Sequence, residues 1–407
     1  MINKFFSVIL VLSLASIGIA CKQNIPNTSM VGVEWVNSKI DYFVIDNSPL
    51  VSKQSLQDIR KVINRYEEIV LKGGWTRLNK SAINMGLNAK GSEVAKLKYQ
   101  LFLLGDLEDR FSAGETFDTH LELALLNYQR RHGLKPTKIV DQQTWNSLII
   151  PASYRLQQLK LNYKRIKELN NRTSKNKRYV LVNIPDAKLQ SVENNVKIDE
   201  FIGVVGKIDR KTPILEAKIA EIILNPTWTV PQNIVRKDLV PLVRKYPSYL
   251  IDNNITIYNI HGRKVAQELL NWNSDEPNGY IYKQDPGDNN AMATTKINFA
   301  NQYEVYMHDT PDQATFVQDS LFDTSGCIRI LNIQLLNKWL LKNTSGWNSE
   351  KIEKTIESKK TTIIKLQDEV RLYFTYITAW VNSNGQVNFR DDIYNRDKKE
   401  ILESDER

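Results

Sequence analysis

The spacing of the apolar residues changes once along this chain, near residue 178, and that change constrains the fold more than any other feature. Upstream, apolar residues recur every three or four positions, as one face of a helix requires. Ile59, Val62, Ile63 and Tyr66 do so within a predicted helix over 54–71, which Gly73-Gly74-Trp75 ends. Val94, Leu97, Leu101 and Leu104, closed by Gly105, predict a second helix. Leu121, Leu125 and Tyr128 predict a third, with Asp118 or Thr119 as its cap and Gly133-Leu134 behind it. A short helix over 141–149 follows, then an amphipathic one over 153–171 built on Leu156, Leu159, Tyr163 and Ile166. Downstream the apolar residues alternate. Strands are expected over 179–184, 188–192 and 196–205, with Asn194-Asn195 as a hairpin turn. Further strands are expected over 219–224, 298–307 and 370–381, with Asn384-Gly385 turning into Val387-Asn388-Phe389. Residues 231–290 interrupt this β unit with Pro, Asn, Trp and Tyr, and an insertion of that length is often a lid or binding loop. The charged residues 391–407 read as a loose tail.

At 407 residues the chain is too long for one compact core, so two or three units are expected. Its net charge of +9 suits a solvated basic surface, or an anionic polymer or membrane as neighbour. Nucleic acid is excluded as the expected partner, because the basic residues are dispersed and accompany neither a zinc-finger nor an RNA-recognition pattern. The basic linker 172–178 reads as a solvated face, with contact to an anionic polymer or lipid as the alternative.

Lys4 followed by the apolar run from Phe5 to Ala20 has the layout of an export signal, too short for a spanning helix of roughly 20 residues. Gly18-Ile19-Ala20-Cys21 resembles a bacterial lipobox, which implies that Cys21 is lipidated, becomes the mature N-terminus and anchors the chain to a membrane. A plain signal peptide with an incidental cysteine is the alternative. The remaining cysteine, Cys327, then has no intrachain partner. A lone thiol in an exported protein is more often reactive than decorative, with a buried inert side chain as the other reading.

The stretch that carries chemistry is Tyr306-Met307-His308-Asp309-Thr310-Pro311 followed by Thr324-Ser325-Gly326-Cys327-Ile328-Arg329. An imidazole within reach of a thiol can take its proton and later return it to a leaving amine. Backbone amides around Gly326 and Cys327 are candidate donors to the oxyanion of a tetrahedral intermediate. Arg329 adds positive charge near the sulfur and is a candidate for a substrate carboxylate. A His and a Cys nineteen positions apart are equally compatible with a packed strand histidine and a buried small hydrophobe. The four histidines, 120, 132, 261 and 308, show no metal-ligand spacing.

In this order and context, His-Asp-Thr-Pro, a spacer and Ser-Gly-Cys-Ile-Arg resemble the L,D-transpeptidase signature. The resemblance extends to Tyr179–Ile184, 203–207, 210–214, Asn225-Pro226-Thr227-Trp228-Thr229-Val230-Pro231, 284–291, Tyr376–Val381 and Phe389–Tyr394. Leu-Gly-Asp-Leu at 104–107, the segment 125–134 and Gln-Thr-Trp-Asn-Ser-Leu at 143–148 are similar to a three-helix peptidoglycan-binding module, with Thr137-Lys138 where that module usually has Asp-Gly. A helical spacer that kept the fold and lost the ligand is the alternative. The implied architecture is α+β and multidomain. A leader (1–20) precedes a tether and helical scaffold (21–91), the peptidoglycan-binding-like domain (92–152) and a linker helix (153–178). A mainly β catalytic domain (179–390) with its inserted lid (231–290) and a charged tail (391–407) complete it.

The resemblance implies that Cys327 attacks the third residue of a tetrapeptide stem and expels D-alanine, with His308 as base and then acid. The thioester passes to an amine of a neighbouring stem, giving a 3→3 cross-link. Gly326, Ser325 and Arg329 would shape the oxyanion loop, and Tyr306, Trp228 and Thr324 would meet the substrate. No cofactor is implied. Peptidoglycan stems are the implied partner, carbapenems the implied inhibitors, and a membrane-anchored lipoprotein facing the periplasm the implied location. An L,D-carboxypeptidase or endopeptidase, and a non-catalytic peptidoglycan-binding lipoprotein, are the competing functions.

Overall fold

The computed structural model describes residues 47–405; the leader, Cys21 and the tether after it lie outside the described residues. Among the described residues, five α-helices precede the first strand: α1 (Lys53–Leu71), α2 (Ser92–Leu104), α3 (Thr119–Arg131), α4 (Gln142–Leu148) and α5 (Ala152–Thr173). Three of these, α1, α3 and α4, start at side chains that satisfy otherwise orphaned amides. Ser52 Oγ accepts from Ser55 N at 3.0 Å, Asp118 from Leu121 N at 2.9 Å and Asp141 from Thr144 N at 2.7 Å. Gly105 ends α2 with a left-handed φ of 83°. Ile59, Tyr66, Leu97, Leu101, Leu125, Leu148 and Leu159 bury one shared core among these helices. In the loop after α3, Lys138 takes a φ of 63° and its amide donates to Gln129 Oε1 at 2.9 Å.

The β half contains β1 (Arg178–Asn183), β2 (Lys188–Glu193), β3 (Val196–Gly206), β4 (Leu215–Leu224), β5 (Trp228–Thr229), β6 (Ile255–Tyr258), β7 (Lys264–Val265) and β8 (Ile281–Gln284). It continues with β9 (Thr295–Phe299), β10 (Met307–His308), β11 (Phe322–Thr324), β12 (Ile328–Ile330), β13 (Thr362–Thr375), β14 (Ala379–Val381) and β15 (Val387–Phe389). The main sheet runs β11-β3-β12-β10-β9-β4-β13-β1-β2, and β3 also pairs with β2, which joins its two sides. Helices α6 (Ile333–Leu341) and α7 (Ser349–Glu357) pack Leu336 and Ile352 into the sheet's core. The fold is thus a helical N-terminal region followed by a mainly β domain.

Four neighbouring strands position the site. Ile222, Ile297, Met307 and Ile328 are cross-strand partners in one row, all fully buried. Because successive side chains alternate across a strand, the flanking residues go to the opposite face. That face carries Glu221 and Ile223 of β4, Lys296 and Asn298 of β9, Tyr306 and His308 at β10, and Cys327 and Arg329 at β12.

Four sequence expectations are corrected. The single strand expected over 298–307 is two antiparallel strands, β9 and β10. Asn301 makes the turn between them: its Nδ2 donates to the carbonyls of Phe299 and Val305, and its Oδ1 accepts from the amides of Tyr303 and Val305. The strand expected over 370–381 starts at Thr362 and stops at Thr375. The following hairpin, β14–β15, forms its own two-stranded sheet, and Val381, Val387 and Phe389 pack into the helical core. Residues 231–290 are more than a loop. Together with β5 they form a lobe with a four-stranded sheet, β5-β8-β6-β7, over a core of Val235, Leu239, Val243, Leu250, Ile257 and Tyr282. Finally, 391–405 is no loose tail. It holds buried Tyr394 and the helix α8 (Arg396–Asp405), whose fully buried Asp397 accepts from Arg165 Nη1 at 2.6 Å and from Thr378 Oγ1.

Candidate active site

Cys327 stands one residue before β12, beside β10. The parallel register pairs Met307 with Ile328 and His308 with Arg329, and Ile328 N donates to Tyr306 O at 3.0 Å. Tyr306 therefore lies alongside Cys327, with His308 two residues further on the same face. The Tyr306 and His308 ring centroids are 5.4 Å apart. His308 is 8% exposed, and its Nδ1–H donates to the carbonyl of Asp309 at 2.6 Å. That bond assigns the tautomer and leaves Nε2 with a free lone pair. Asp309 is itself held: its carboxylate accepts from Thr310 N at 2.9 Å, from Thr294 N at 3.2 Å and from the Thr294 hydroxyl.

The electrostatics keep the resting pair neutral. Burial pushes the Cys327 thiol up to about 11, with hydrogen bonds from Tyr306 and the charge of Lys296 pulling the other way. Burial pushes His308 down to about 4, with Arg329 and Lys296 adding repulsion against the Asp309 hydrogen bond. A neutral imidazole beside a protonated thiol is a base waiting for a proton, so sulfur is deprotonated as it attacks.

The loop before the sulfur is tightly tied. Gly326 has a φ of 109°, which side chains other than glycine rarely adopt. Thr324 Oγ1 donates to Cys327 O at 2.6 Å and accepts from Gly326 N at 3.2 Å. Thr212 Oγ1 donates to Gly326 O at 2.9 Å and accepts from Gly206 N at 2.8 Å. Gly206 is obligatory, since a Cβ there would lie 2.2 Å from Arg210 O. Arg210 Nη1 donates to Ser325 Oγ at 2.9 Å and also forms a forked ion pair with Asp238 of the inserted lobe, at 2.6 and 3.1 Å. Arg210 thus ties the lobe to the nucleophile loop. Replacing Asp238 with Ala is expected to change unfolding free energy by under about 1 kcal/mol, because the carboxylate is exposed. Proteolysis within 231–290 should nevertheless accelerate, and limited digestion followed by mass spectrometry measures it.

A sequence model of the L,D-transpeptidase catalytic domain matches residues 177–356, and one described as "Putative peptidoglycan binding domain" matches 90–148. The chain thus carries an L,D-transpeptidase-type catalytic domain behind a peptidoglycan-binding-type region. The chain is 31% identical over 221 residues to a "Putative L,D-transpeptidase" of Haemophilus influenzae, covering 54% of the present chain and 45% of that protein. It therefore spans less than half the length of the curated relative it matches. Solved L,D-transpeptidases from Stackebrandtia nassauensis (13% identity, 74% of this chain and 98% of that one, TM-score 0.27) and Xylanimonas cellulosilytica (12%, 72% and 98%, 0.24) are distant likenesses.

The structure brings most of the sequence-selected residues together but reassigns two. Thr324 is 6% exposed and spends its hydroxyl inside the loop, so it does not present itself to a substrate. The Gly326 amide is occupied by Thr324, which leaves the Cys327 amide and the Tyr306 hydroxyl as candidate oxyanion donors. Trp228, reaching over from β5 of the lobe, donates Nε1–H to Tyr306 Oη at 3.0 Å. Ser325 lies under Arg210, and Arg329 donates to Thr315 Oγ1 at 3.3 Å. Sequence reasoning missed Lys296, Thr212, Arg210 and Asn301. A strand started at Thr295 instead of 298 would have put Lys296 on the same face as His308. A cleft of about 920 Å³ lies elsewhere, between the helical region and β2–β3, lined by Asp186, Glu200, Trp380 and Asn384 and by none of the residues named at the thiol.

Proposed function

We propose that the chain cross-links peptidoglycan through a thioester on Cys327. His308 Nε2 takes the proton from Sγ as sulfur attacks the carbonyl carbon of the third stem residue. The oxyanion accepts hydrogen bonds from the Cys327 amide and the Tyr306 hydroxyl. Nε2–H then protonates the nitrogen of D-alanine as its bond to the carbonyl carbon breaks. An amine of a second stem attacks the thioester, gives its proton to Nε2, and sulfur leaves and is reprotonated. The observation that carries this reading is the register that sets an imidazole with an unoccupied Nε2 on the strand beside Cys327. Trp228 supports the role of Tyr306. By donating to the phenol oxygen it leaves the phenol proton free for sulfur or oxyanion.

The same reading makes peptidoglycan stems the substrate, carbapenems acylating inhibitors, and the helices over 90–148 a wall-docking unit. Lipidated Cys21 would anchor the chain to a membrane facing the periplasm. Incubating the purified chain with disaccharide-tetrapeptide tests the reading by mass spectrometry. A cross-linked dimer lacking one D-alanine is expected. Tripeptide alone would assign hydrolysis, and no product with either amine or water as acceptor would sink the enzyme assignment.

Two further outcomes follow. Tyr306→Phe removes one oxyanion donor and is expected to slow acylation by about 10²–10³-fold, read by single-turnover kinetics. The acid limb of the acylation rate should fall near pH 4, because His308 must be neutral to accept the proton and its pKa is lowered to about 4. An acid limb near 6.5 would indicate an imidazole exposed to water.

A further inference from the structure

Lys296 has no part in the chemistry above, yet it faces the reacting groups. It is the cross-strand partner of His308, on the face that also carries Tyr306 and Cys327. Its Nζ lies 4.2 Å from the centre of the Tyr306 ring, close enough for a cation–π contact. The ring continues to the phenol oxygen that Trp228 holds. A lysine ammonium is strongly hydrated, so placing one half-buried over an aromatic ring beside a thiol needs a compensating role.

We propose that Lys296 is a positioning residue that makes the thiol and phenol better acids: its charge stabilises sulfur as it becomes anionic and, across the ring face, polarises the Tyr306 hydroxyl toward it. The inference rests on the reading of Cys327 as nucleophile. The charged and titratable groups around the sulfur come from each packed element. They are Glu221 on β4, Lys296 on β9, Tyr306 and His308 at β10, and Arg329 on β12, while Arg210 and Asp238 close on each other above Ser325. Glu221 lies two residues before the partner of Lys296 and accepts from Asn298 Nδ2 at 3.0 Å, so it offsets Lys296 only in part. Burial lowers the Lys296 ammonium below the ordinary lysine value, and the charges of Cys327 and Glu221 hold it up, as reciprocity between the two groups requires.

The test is alkylation of Cys327, the one cysteine among the described residues, followed by mass spectrometry of the Cys327 peptide, from pH 7 to 10. Neutral iodoacetamide and anionic iodoacetate are compared. Lys296→Met is expected to slow iodoacetamide alkylation about tenfold at a given pH, the equivalent of raising the thiol by about one pKa unit. It should slow iodoacetate more, because the local positive field that attracts an anionic reagent is also reduced. Lys296→Arg should restore both rates to within about threefold. Equal rates for wild type and Lys296→Met overturn the proposal. So does a slowing that Arg does not rescue and that comes with a lowered thermal midpoint, which marks a structural role. Alkylation needs no peptidoglycan. If tetrapeptide gives no product, the transpeptidase reading fails while the effect of Lys296 on the sulfur is still measured.

Discussion

Cys327→Ala is expected to abolish covalent capture of a carbapenem or tetrapeptide, and His308→Ala to slow it by about 10²–10⁴-fold. The two effects differ in kind. Without sulfur no thioester forms, so intact-mass spectrometry should show no adduct at any time. Without the imidazole the adduct still forms, but only through the small ionised fraction of a thiol that burial holds near 11. The His308→Ala rate should therefore climb with pH across the alkaline range, whereas the wild-type rate should stay level once His308 is neutral. A His308→Ala variant that acylates at the wild-type rate would remove the imidazole from the mechanism. Asp309 contributes through its carbonyl, which no side-chain substitution removes, so its variants should act on loop order rather than on this pH profile.

The largest effect on stability is expected away from the site, at Asp106. Its side chain is fully buried, and it pairs with Arg131, itself 6% exposed, through Nε–Oδ1 at 2.7 Å and a second contact from Nη2. Arg131 also donates to the carbonyl of Val387 on β15. The pair thus stitches α3 to the hairpin that the β half inserts into the helical core. Asp106→Ala strands a buried guanidinium and is expected to cost about 3–5 kcal/mol, measured by chemical denaturation. Asp106→Leu combined with Arg131→Met removes both charges and should recover most of that loss, because a buried ion pair is weak against well-packed apolar groups. A double variant as unstable as the single one would place the energy in the Val387 contact instead.

Much of the helical half was legible in the sequence because its signals are local. The three- and four-residue spacing, the Asp118 and Asp141 caps and the Gly105 stop each act within one turn of chain, and the elements begin and end there. The Asn194-Asn195 turn is equally local, with φ of 50° and 63° at its two positions. The break at Asn301 was not legible, since one polar side chain satisfying four backbone groups leaves no trace in an alternation pattern. Nor was the order of α8, whose charged composition conceals a carboxylate buried against Arg165 and Thr378 from distant parts of the chain.

What the sequence by itself determined is the pairing of chemistries. A single thiol after Ser-Gly and an imidazole before Asp-Thr-Pro are properties of the linear order, as are the periodicities that separate the helical and β halves. Tertiary structure alone decided what surrounds the sulfur. Lys296, Trp228, Arg210 and Thr212 reach it from β9, β5 and the β3–β4 connection, across separations of 31 to 117 positions. Period-two alternation specifies which face a residue takes, but strand order and register specify which residues meet on that face, and those are set by burial summed over the whole sheet.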